Sequence, residues 1–200
     1  MFAMDGAQSS LFGSAEIALD AGFAQLDRHD LDDTAWLDYA PMWLSGDESL
    51  FATIVTRAEW SQPVVRMYER DVLTPRLNAR IDPSIHTIIT DMIDCLSSRY
   101  GVRLDQVSAG WYRDGADSVA YHGDRIARDR ERAVVATVSL GGARRFLIRR
   151  AEGGEALSFS LGHGDLVVMG GSCQRTWVHA IPKTRFAEPR IALMFRHEYE

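Results

Sequence analysis

The chain has 200 residues, 46% of them hydrophobic, which is enough for one domain with a buried core. It has no apolar span of about twenty residues, no charged-then-apolar leader and only two cysteines, so we expect a cytoplasmic protein without a membrane partner. The net charge of -6, taken alone, argues against a nucleic-acid partner, but the charge is unevenly distributed along the chain.

The first 35 residues are small or polar, with scattered acids and no sustained hydrophobic period. We therefore predict an N-terminal extension over residues 1–35, in part without fixed structure. From Trp36 onward the density of apolar residues rises. We expect residues 36–200 to form a single domain that acts as a monomer.

Two segments have the apolar spacing of helices. In residues 47–58 the apolar residues follow two N-terminal acids, and in residues 84–99 they form one stripe that Gly101 is placed to end. Between them, residues 60–82 mix aromatic residues and arginines with two prolines, which predicts short strands and loops.

The second half of the chain has the composition of short strands separated by glycine pairs. The predicted strands are residues 106–113, 134–140, 144–149, 156–161, 165–169, 176–180 and 190–197. Strands at this spacing indicate two packed sheets that hold ligands where their inner faces converge. We predict an α+β, mainly β fold, a double-stranded β-helix (jelly roll) with supporting helices on one side.

A histidine and a carboxylate two residues apart, His122 and Asp124, can reach one metal ion from the same face of an extended segment. His179 is the best candidate for a third ligand, in competition with His163 in a glycine turn and His197 near the C-terminus. Two histidines and one carboxylate are the ligands of non-heme Fe(II) oxygenases. The alternative is that His122 caps a strand and Asp124 pairs with a nearby arginine.

Arg190 and Arg196 lie six residues apart in a predicted strand, so they share one face. Residues 191, 193 and 195 are apolar and face the other way. Two arginines on an inward face require anions, and a five-carbon dicarboxylate supplies two of them. The alternative for Arg190 is a surface ion pair with Glu188.

The second half of the chain contains three further motifs, at residues 164–169 (GDLVVM), 177–183 (WVHAIPK) and 189–196 (PRIALMFR). Together with residues 111–115 (WYRDG) and, more loosely, residues 75–77 (PRL), these motifs resemble the AlkB family. The resemblance covers about two thirds of the chain. The members of this family are dioxygenases that use Fe(II), 2-oxoglutarate and O2 to repair N-alkylated nucleobases.

The resemblance implies an enzyme that demethylates N-alkylated bases in DNA and releases formaldehyde, succinate and CO2. It implies that His122, Asp124 and His179 hold Fe(II), and that Tyr112, Arg190 and Arg196 bind 2-oxoglutarate. It also implies a lid for nucleotide recognition around residues 60–82. A base inside a duplex cannot reach the metal, so it must be flipped out or presented on a single strand.

The sequence departs from the family pattern at several positions around this site. Gly110 replaces an asparagine that is usual two residues before the tyrosine, and Ala192 and Met194 replace polar residues between the arginines. Arg125 and Ile126 stand where several members carry acids near the substrate base. These departures predict fewer contacts to 2-oxoglutarate, or contacts made by other groups, and different contacts to the substrate base.

No aromatic residue directly after residues 75–77 is placed to stack on a flipped base. Two alternatives to a DNA demethylase therefore remain open. One keeps the iron and 2-oxoglutarate but acts on RNA, a protein or a small molecule. The other is a jelly roll that binds metal or nucleic acid without turnover.

The charge distribution supplies candidates for phosphate contacts. Residues 1–62 contain eleven acids and two arginines, whereas residues 125–150 contain eight arginines and two acids. A phosphate backbone responds to such a local excess of positive charge. The candidate contacts are Arg66, Arg70, Arg76, Arg125, Arg128, Arg144 and Arg145. The alternative is that these arginines are solvated strand edges.

Overall fold

The computed structural model describes residues 16–67, 70–128 and 130–198, without the side chains of residues 65–72 and 127–129. The strands are β1 (Ala18–Leu19), β2 (Asp27–Asp30), β3 (Ala35–Ala40), β4 (Leu44–Ser45), β5 (Val64–Met67), β6 (Arg70–Leu73), β7 (Leu77–Arg80), β8 (Gln106–Tyr112), β9 (Val119–His122), β10 (Val135–Gly141), β11 (Arg144–Arg150), β12 (Leu157–Leu161), β13 (Leu166–Gly171), β14 (Trp177–Ile181) and β15 (Arg190–Arg196). The helices are α1 (Glu48–Arg57), α2 (Thr87–Tyr100) and α3 (Cys173–Thr176), with single 3-10 turns at Pro83–Ile85 and Arg125–Arg128.

Two antiparallel sheets form the body of the domain. The large sheet has the strand order β2-β3-β13-β10-β15-β8-β7, and the small sheet has the order β12-β11-β14-β9. Their inner faces share one apolar cluster, in which Phe146 and Ile148 of the small sheet pack with Val135 and Val167 of the large sheet. The predicted jelly roll is confirmed.

The outer face of the large sheet is covered by α1 and α2. Leu50 of α1 and Met92 of α2 lie in a second apolar cluster with Leu193 and Phe195 of β15. Both helices follow the predicted segments closely, and Gly101 ends α2 with a left-handed φ of 67°. A glycine adopts this conformation without strain, so the predicted stop signal operates as expected.

Five strands, β1 to β4 and β9, were not predicted. The segment β9 has no alternation of buried and exposed residues, and β3 contains the buried carboxylate of Asp38. That carboxylate is neutralised by Arg28 of the neighbouring β2, with 2.6 Å between Nε of Arg28 and Oδ1 of Asp38.

Residues 1–15 of the predicted N-terminal extension lie outside the described part of the structure. From residue 16 onward the extension contributes β1, and it also contributes β2, which pairs with β3 and forms an edge of the large sheet.

In the part of the chain that the structure describes, none of the helices has both the length and the hydropathy that crossing a membrane requires.

Candidate active site

The site begins with two histidines on neighbouring strands of the small sheet. His122 at the end of β9 lies directly opposite His179 of β14 in the antiparallel register. Directly opposed residues point to the same face of a sheet, and the two imidazole ring centroids are 4.3 Å apart. The structure therefore brings together the two histidines that the sequence predicted to be metal ligands.

Burial favours the neutral form of both imidazoles, which is the form that binds metals. Burial is the main cause that lowers the pKa of His122, and burial followed by the charge of His122 lowers the pKa of His179 well below its ordinary value. The Nδ1 atom of His122 lies 2.9 Å from the carbonyl oxygen of Ala120. If Nδ1 donates to that carbonyl, the lone pair of Nε2 is free for a metal ion.

Asp124 follows β9 and is positioned by groups from two other segments. A side chain at Gly123 would place its Cβ atom 2.4 Å from the carbonyl oxygen of Gln174, so only glycine allows this approach. The amide of Asp124 donates to Oε1 of Gln174 at 2.8 Å. The carboxylate of Asp124 accepts a hydrogen bond from Nε of Arg196 at 2.7 Å.

The chemistry of this donor set fits Fe(II), because two neutral imidazoles and a carboxylate are its usual ligands in oxygenases. As the side chains are placed, however, the described residues contain no group of three His, Cys, Asp or Glu residues close enough to hold a metal ion. The carboxylate of Asp124 is directed toward Arg196 instead. The assignment of Asp124 as the third ligand therefore stays a prediction.

The two competing histidines lie elsewhere. The side chain of His163 is 56% exposed and faces Asp47, with 3.7 Å between Nδ1 and Oδ1. His197 is buried, and its Nε2 atom accepts a hydrogen bond from the amide of Val134 at 3.1 Å. Neither lines the cavity that His122 and His179 share.

Arg190 at the start of β15 points into the same cavity as the histidines. Only 1% of its surface is exposed, and burial lowers its pKa to about 10. Its Nε atom donates to Oγ of Ser139 at 2.6 Å, but its Nη1 atom has no hydrogen-bond partner among the described residues. A buried guanidinium with an unsatisfied N–H is suited to bind a carboxylate.

Arg196 at the end of β15 is also directed toward the cavity but is already paired. Besides its bond to Asp124, its Nη1 atom donates to Oγ of Ser108 at 2.6 Å. Between the arginines, Ala192 and Met194 line the cavity, as the predicted alternation requires.

Tyr112 of β8 pairs with Arg190 in the strand register. It is buried, and the guanidinium carbon of Arg190 lies 5.4 Å from the centroid of its ring. Its hydroxyl oxygen accepts a hydrogen bond from Nη1 of Arg76, a residue that the sequence assigned to phosphate contacts.

All six residues that were predicted to bind iron or 2-oxoglutarate line one cavity of about 560 Å³. They are Tyr112, His122, Asp124, His179, Arg190 and Arg196. The sequence did not identify Ser108, Ser139 and Gln174, which hold three of these residues in place. Ser108 and Ser139 lie within predicted strands and Gln174 lies between two of them, and such positions are too general to indicate a role.

The arginines predicted to contact nucleic acid are dispersed in the structure. Arg144 is 3% exposed and donates to the backbone carbonyl oxygens of Asp114, Asp117 and Pro182, so its assignment as a phosphate contact is wrong. A guanidinium that is enclosed and satisfied in this way holds loops together. Arg76 lines the cavity together with the residues predicted to bind iron and 2-oxoglutarate.

The other predicted contacts are less defined. Arg125 is exposed at the rim of the cavity, and Arg145 is exposed on β11. Arg66, Arg70 and Arg128 are on the chain segments β5, β6 and the second 3-10 turn, but their side chains lie outside the described part of the structure.

Comparison with known proteins identifies similar chains. The family described as the 2OG-Fe(II) oxygenase superfamily matches residues 53–196. The human alpha-ketoglutarate-dependent dioxygenase alkB homolog 3 is 28% identical over 134 residues, which are 62% of this chain and 47% of that protein. The DNA oxidative demethylase ALKBH2 of Arabidopsis thaliana is 26% identical over 180 residues, which are 68% of this chain and 57% of that protein.

The chain thus spans about half the length of the curated relatives that it matches. Among solved structures, that of OsALKBH1 superposes with a TM-score of 0.57 at 14% identity, over 86% of this chain and 100% of that one. At this level of identity the likeness shows a shared fold.

Proposed function

This chain belongs to the 2OG-Fe(II) oxygenase superfamily, and we propose that it is a dioxygenase that demethylates N-alkylated bases in DNA. Membership of the superfamily implies Fe(II), 2-oxoglutarate and O2 as cofactor and cosubstrates. The matched relatives are AlkB homologues, which confirms the resemblance drawn from the sequence. The name of the plant relative, a DNA oxidative demethylase, supports DNA as the substrate.

The observation that carries the proposal is the convergence of the predicted ligands in one cavity. His122 and His179 are opposed across two strands of the small sheet, and Arg190 enters from the large sheet opposite. The metal side and the carboxylate side of the site therefore belong to different sheets. A cavity between the two inner faces of a jelly roll is a common location for a small ligand.

When they are bound, Fe(II) and 2-oxoglutarate supply the oxidation of the N-alkyl carbon by O2, with succinate and CO2 as products. The chain binds and orients these groups. His122 and His179 present neutral imidazoles, Arg190 presents an unsatisfied guanidinium N–H, and Arg196 positions the carboxylate of Asp124. The apolar residues of the cavity wall, among them Phe146, offer no hydrogen bonds to water beside the bound groups.

We propose that residues 36–200, with β2 of the preceding segment at the edge of the large sheet, form the catalytic domain, and that residues 60–82, which include the β5–β6 hairpin, are the nucleotide-recognition lid. The hairpin is a separate two-stranded sheet, and Pro63 and Thr74 at its base line the cavity. Val64 and Leu73 pair across it and are exposed. An exposed apolar pair beside the cavity mouth is suited to contact a base that leaves its stack.

We also propose that the protein acts as a monomer in the cytoplasm. Cys95 and Cys173 are free thiols, which supports a reducing compartment. Size-exclusion chromatography with light scattering tests the first part, and a mass near 22.4 kDa is expected. Imaging of the tagged protein in cells tests the second part, and exclusion of the tag from the cytoplasm would contradict it.

The proposed metal site can be tested by anaerobic titration of the metal-free protein with Fe(II) and 2-oxoglutarate. The weak visible charge-transfer band of the chelate is expected in the wild type and absent in His179→Ala. His163→Ala is the matched control, because this exposed histidine lies outside the cavity, and it should retain the band. If the band is missing from the wild type, the protein is a binding jelly roll without this chemistry.

The proposed substrate requires a separate assay. Formaldehyde release is measured with methylated single-stranded DNA, duplex DNA and RNA of the same sequence. Release above background from either DNA substrate is the expected result. A protein that forms the chelate but releases formaldehyde only from RNA, or from none of the three, is an oxygenase with another substrate.

A further inference from the structure

The side chain of Arg76 lies next to Gly110 of the large sheet. A Cβ atom built on Gly110 would be in van der Waals contact with it, at 3.6 Å from both Cδ and Nε of Arg76. Arg76 also lines the cavity, together with Ala192, which is directly opposite Gly110 in the register of β8 and β15.

The hydrogen bond between Arg76 and Tyr112 determines where the tyrosine can donate. Nη1 of Arg76 donates to the hydroxyl oxygen of Tyr112. A tyrosine hydroxyl has a single hydrogen, and a guanidinium cannot accept it. The hydroxyl hydrogen is therefore available to an acceptor other than Arg76, and an anion in the cavity would be such an acceptor.

Arg76 and Arg190 flank the same tyrosine, Tyr112. Each guanidinium carbon lies 5.4 Å from the centroid of the Tyr112 ring. Within the described residues, neither forms an ion pair with a carboxylate, whereas Arg196 is paired with Asp124. Two unneutralised cations beside one hydroxyl donor form a site for a carboxylate.

We propose that Arg76, whose side chain lies next to Gly110, binds a carboxylate of 2-oxoglutarate together with Tyr112 and Arg190. This inference rests on the proposed function, because it concerns the cosubstrate of that reaction. It assigns Arg76 to the cosubstrate and not to the phosphates of a nucleic acid. The bond to the buried Tyr112 and the proximity of the buried Arg190 favour this assignment.

Isothermal titration of the Mn(II)-loaded protein with 2-oxoglutarate tests the proposal without requiring turnover. Arg76→Gln removes the charge and should raise the dissociation constant of 2-oxoglutarate by about ten- to a hundredfold. Arg76→Lys retains a charge but not the planar fork, and should lie between Arg76→Gln and the wild type. The lysine variant also serves if the glutamine variant does not fold.

Arg80→Gln is the matched control. Arg80 is four residues further along the same edge of the sheet, is exposed, and donates to Oε1 of Gln106 at 3.1 Å. Its replacement should leave the dissociation constant of 2-oxoglutarate within about twofold of the wild type. The effects of Tyr112→Phe and Arg76→Gln on the dissociation constant of 2-oxoglutarate should not add in the double variant, because the two residues act on one carboxylate.

The possible outcomes separate the inference from the proposed function. If Arg76→Gln binds 2-oxoglutarate like the wild type while the KM for a methylated oligonucleotide rises, Arg76 contacts the nucleic acid and the inference is overturned. If the wild type binds no 2-oxoglutarate, the inference and the proposed function both fail. If 2-oxoglutarate binding depends on Arg76 but no DNA is demethylated, the inference stands and only the proposed substrate fails.

Discussion

Replacement of Arg190 with methionine should separate ligand binding from stability. Arg190 is almost fully buried, with one bond to Ser139 and an Nη1 atom that has no partner among the described residues. Burial lowers its pKa to about 10, which shows that the fold disfavours this charge. Methionine fills a similar volume without a charge.

The two expected effects differ in size. A hydrogen bond to a charged group contributes about 1.5–3 kcal/mol, so the loss of two such bonds to a carboxylate costs about 3 kcal/mol or more. Since about 1.4 kcal/mol corresponds to a factor of ten, 2-oxoglutarate should bind Arg190→Met at least about a hundredfold more weakly. The free energy of unfolding should change by no more than about 1 kcal/mol, because removal of an unpaired buried charge offsets the lost bond to Ser139.

Arg144→Met is the control for this prediction. Arg144 is similarly buried and also lies near Tyr112, with its guanidinium carbon 5.5 Å from the ring centroid, but it donates to three backbone carbonyl oxygens. Its removal should lower the free energy of unfolding by about 3 kcal/mol or more and leave 2-oxoglutarate binding by the folded protein unchanged.

Urea denaturation measures the stability of both variants, and isothermal titration of the Mn(II)-loaded proteins measures binding. If Arg190→Met binds 2-oxoglutarate within threefold of the wild type, Arg190 is not the carboxylate anchor. If it is destabilised as strongly as Arg144→Met, its unsatisfied N–H does not reflect a ligand site.

Three further variants or treatments test individual contacts. Gly123→Ala should lower the melting temperature and abolish the charge-transfer band of the Fe(II)–2-oxoglutarate chelate, because the added Cβ atom would lie 2.4 Å from the carbonyl oxygen of Gln174. An unchanged band would show that the loop around Gly123 adjusts freely. Burial raises the pKa of the Cys173 thiol to about 12, so iodoacetamide at pH 8 should modify it only after unfolding, as measured by mass spectrometry. The hydrogen bond from Trp177 is the main cause that lowers the pKa of Asp32 to about 2, from an ordinary value of 3.8. The stability that this carboxylate contributes is present above about pH 4 and is lost as the pH falls toward about 2. The free energy of unfolding of Asp32→Asn, measured by urea denaturation, should therefore depend less on pH in this range than that of the wild type.

The predictable parts of the site are those specified by local sequence. His122 and Asp124 belong to one short motif, and Arg190 and Arg196 share a face because their strand alternates with period two. His179 could be selected over His163, which lies in a glycine turn, and over His197, which lies at the C-terminal end of a predicted strand. In each case a few neighbouring residues contain the information.

The parts that sequence reasoning missed depend on long-range pairing. Arg76 enters the cavity because β7 pairs with β8, so that Leu77 lies opposite Trp111. Arg144 is enclosed because loops around residues 114–117 and at Pro182 meet at its guanidinium. Neither arrangement leaves a periodic signal in the sequence near the arginine. The prediction of phosphate contacts from the excess of arginines therefore included arginines that do not lie on the surface.

The charge of the cavity wall links the two ligands that the site is proposed to bind. Among the described residues that line it, four are arginines and one, Asp124, is a carboxylate. A divalent metal alone therefore enters a positive site, whereas a dianion offsets this charge. Metal and 2-oxoglutarate should each strengthen the binding of the other, by the same factor in both directions.

Direct chelation of the metal by 2-oxoglutarate would also produce such coupling, so the variants must separate the two causes. Arg76 lines the same cavity as His122 and His179, and after burial its positive charge is among the causes that lower the pKa of both histidines. Arg76→Gln should therefore bind Mn(II) more tightly than the wild type when 2-oxoglutarate is absent, although it binds 2-oxoglutarate more weakly. Chelation alone predicts no change in the affinity for the metal by itself. A weaker affinity of Arg76→Gln for Mn(II) would contradict the role of charge, because removal of a cation cannot increase the repulsion of another.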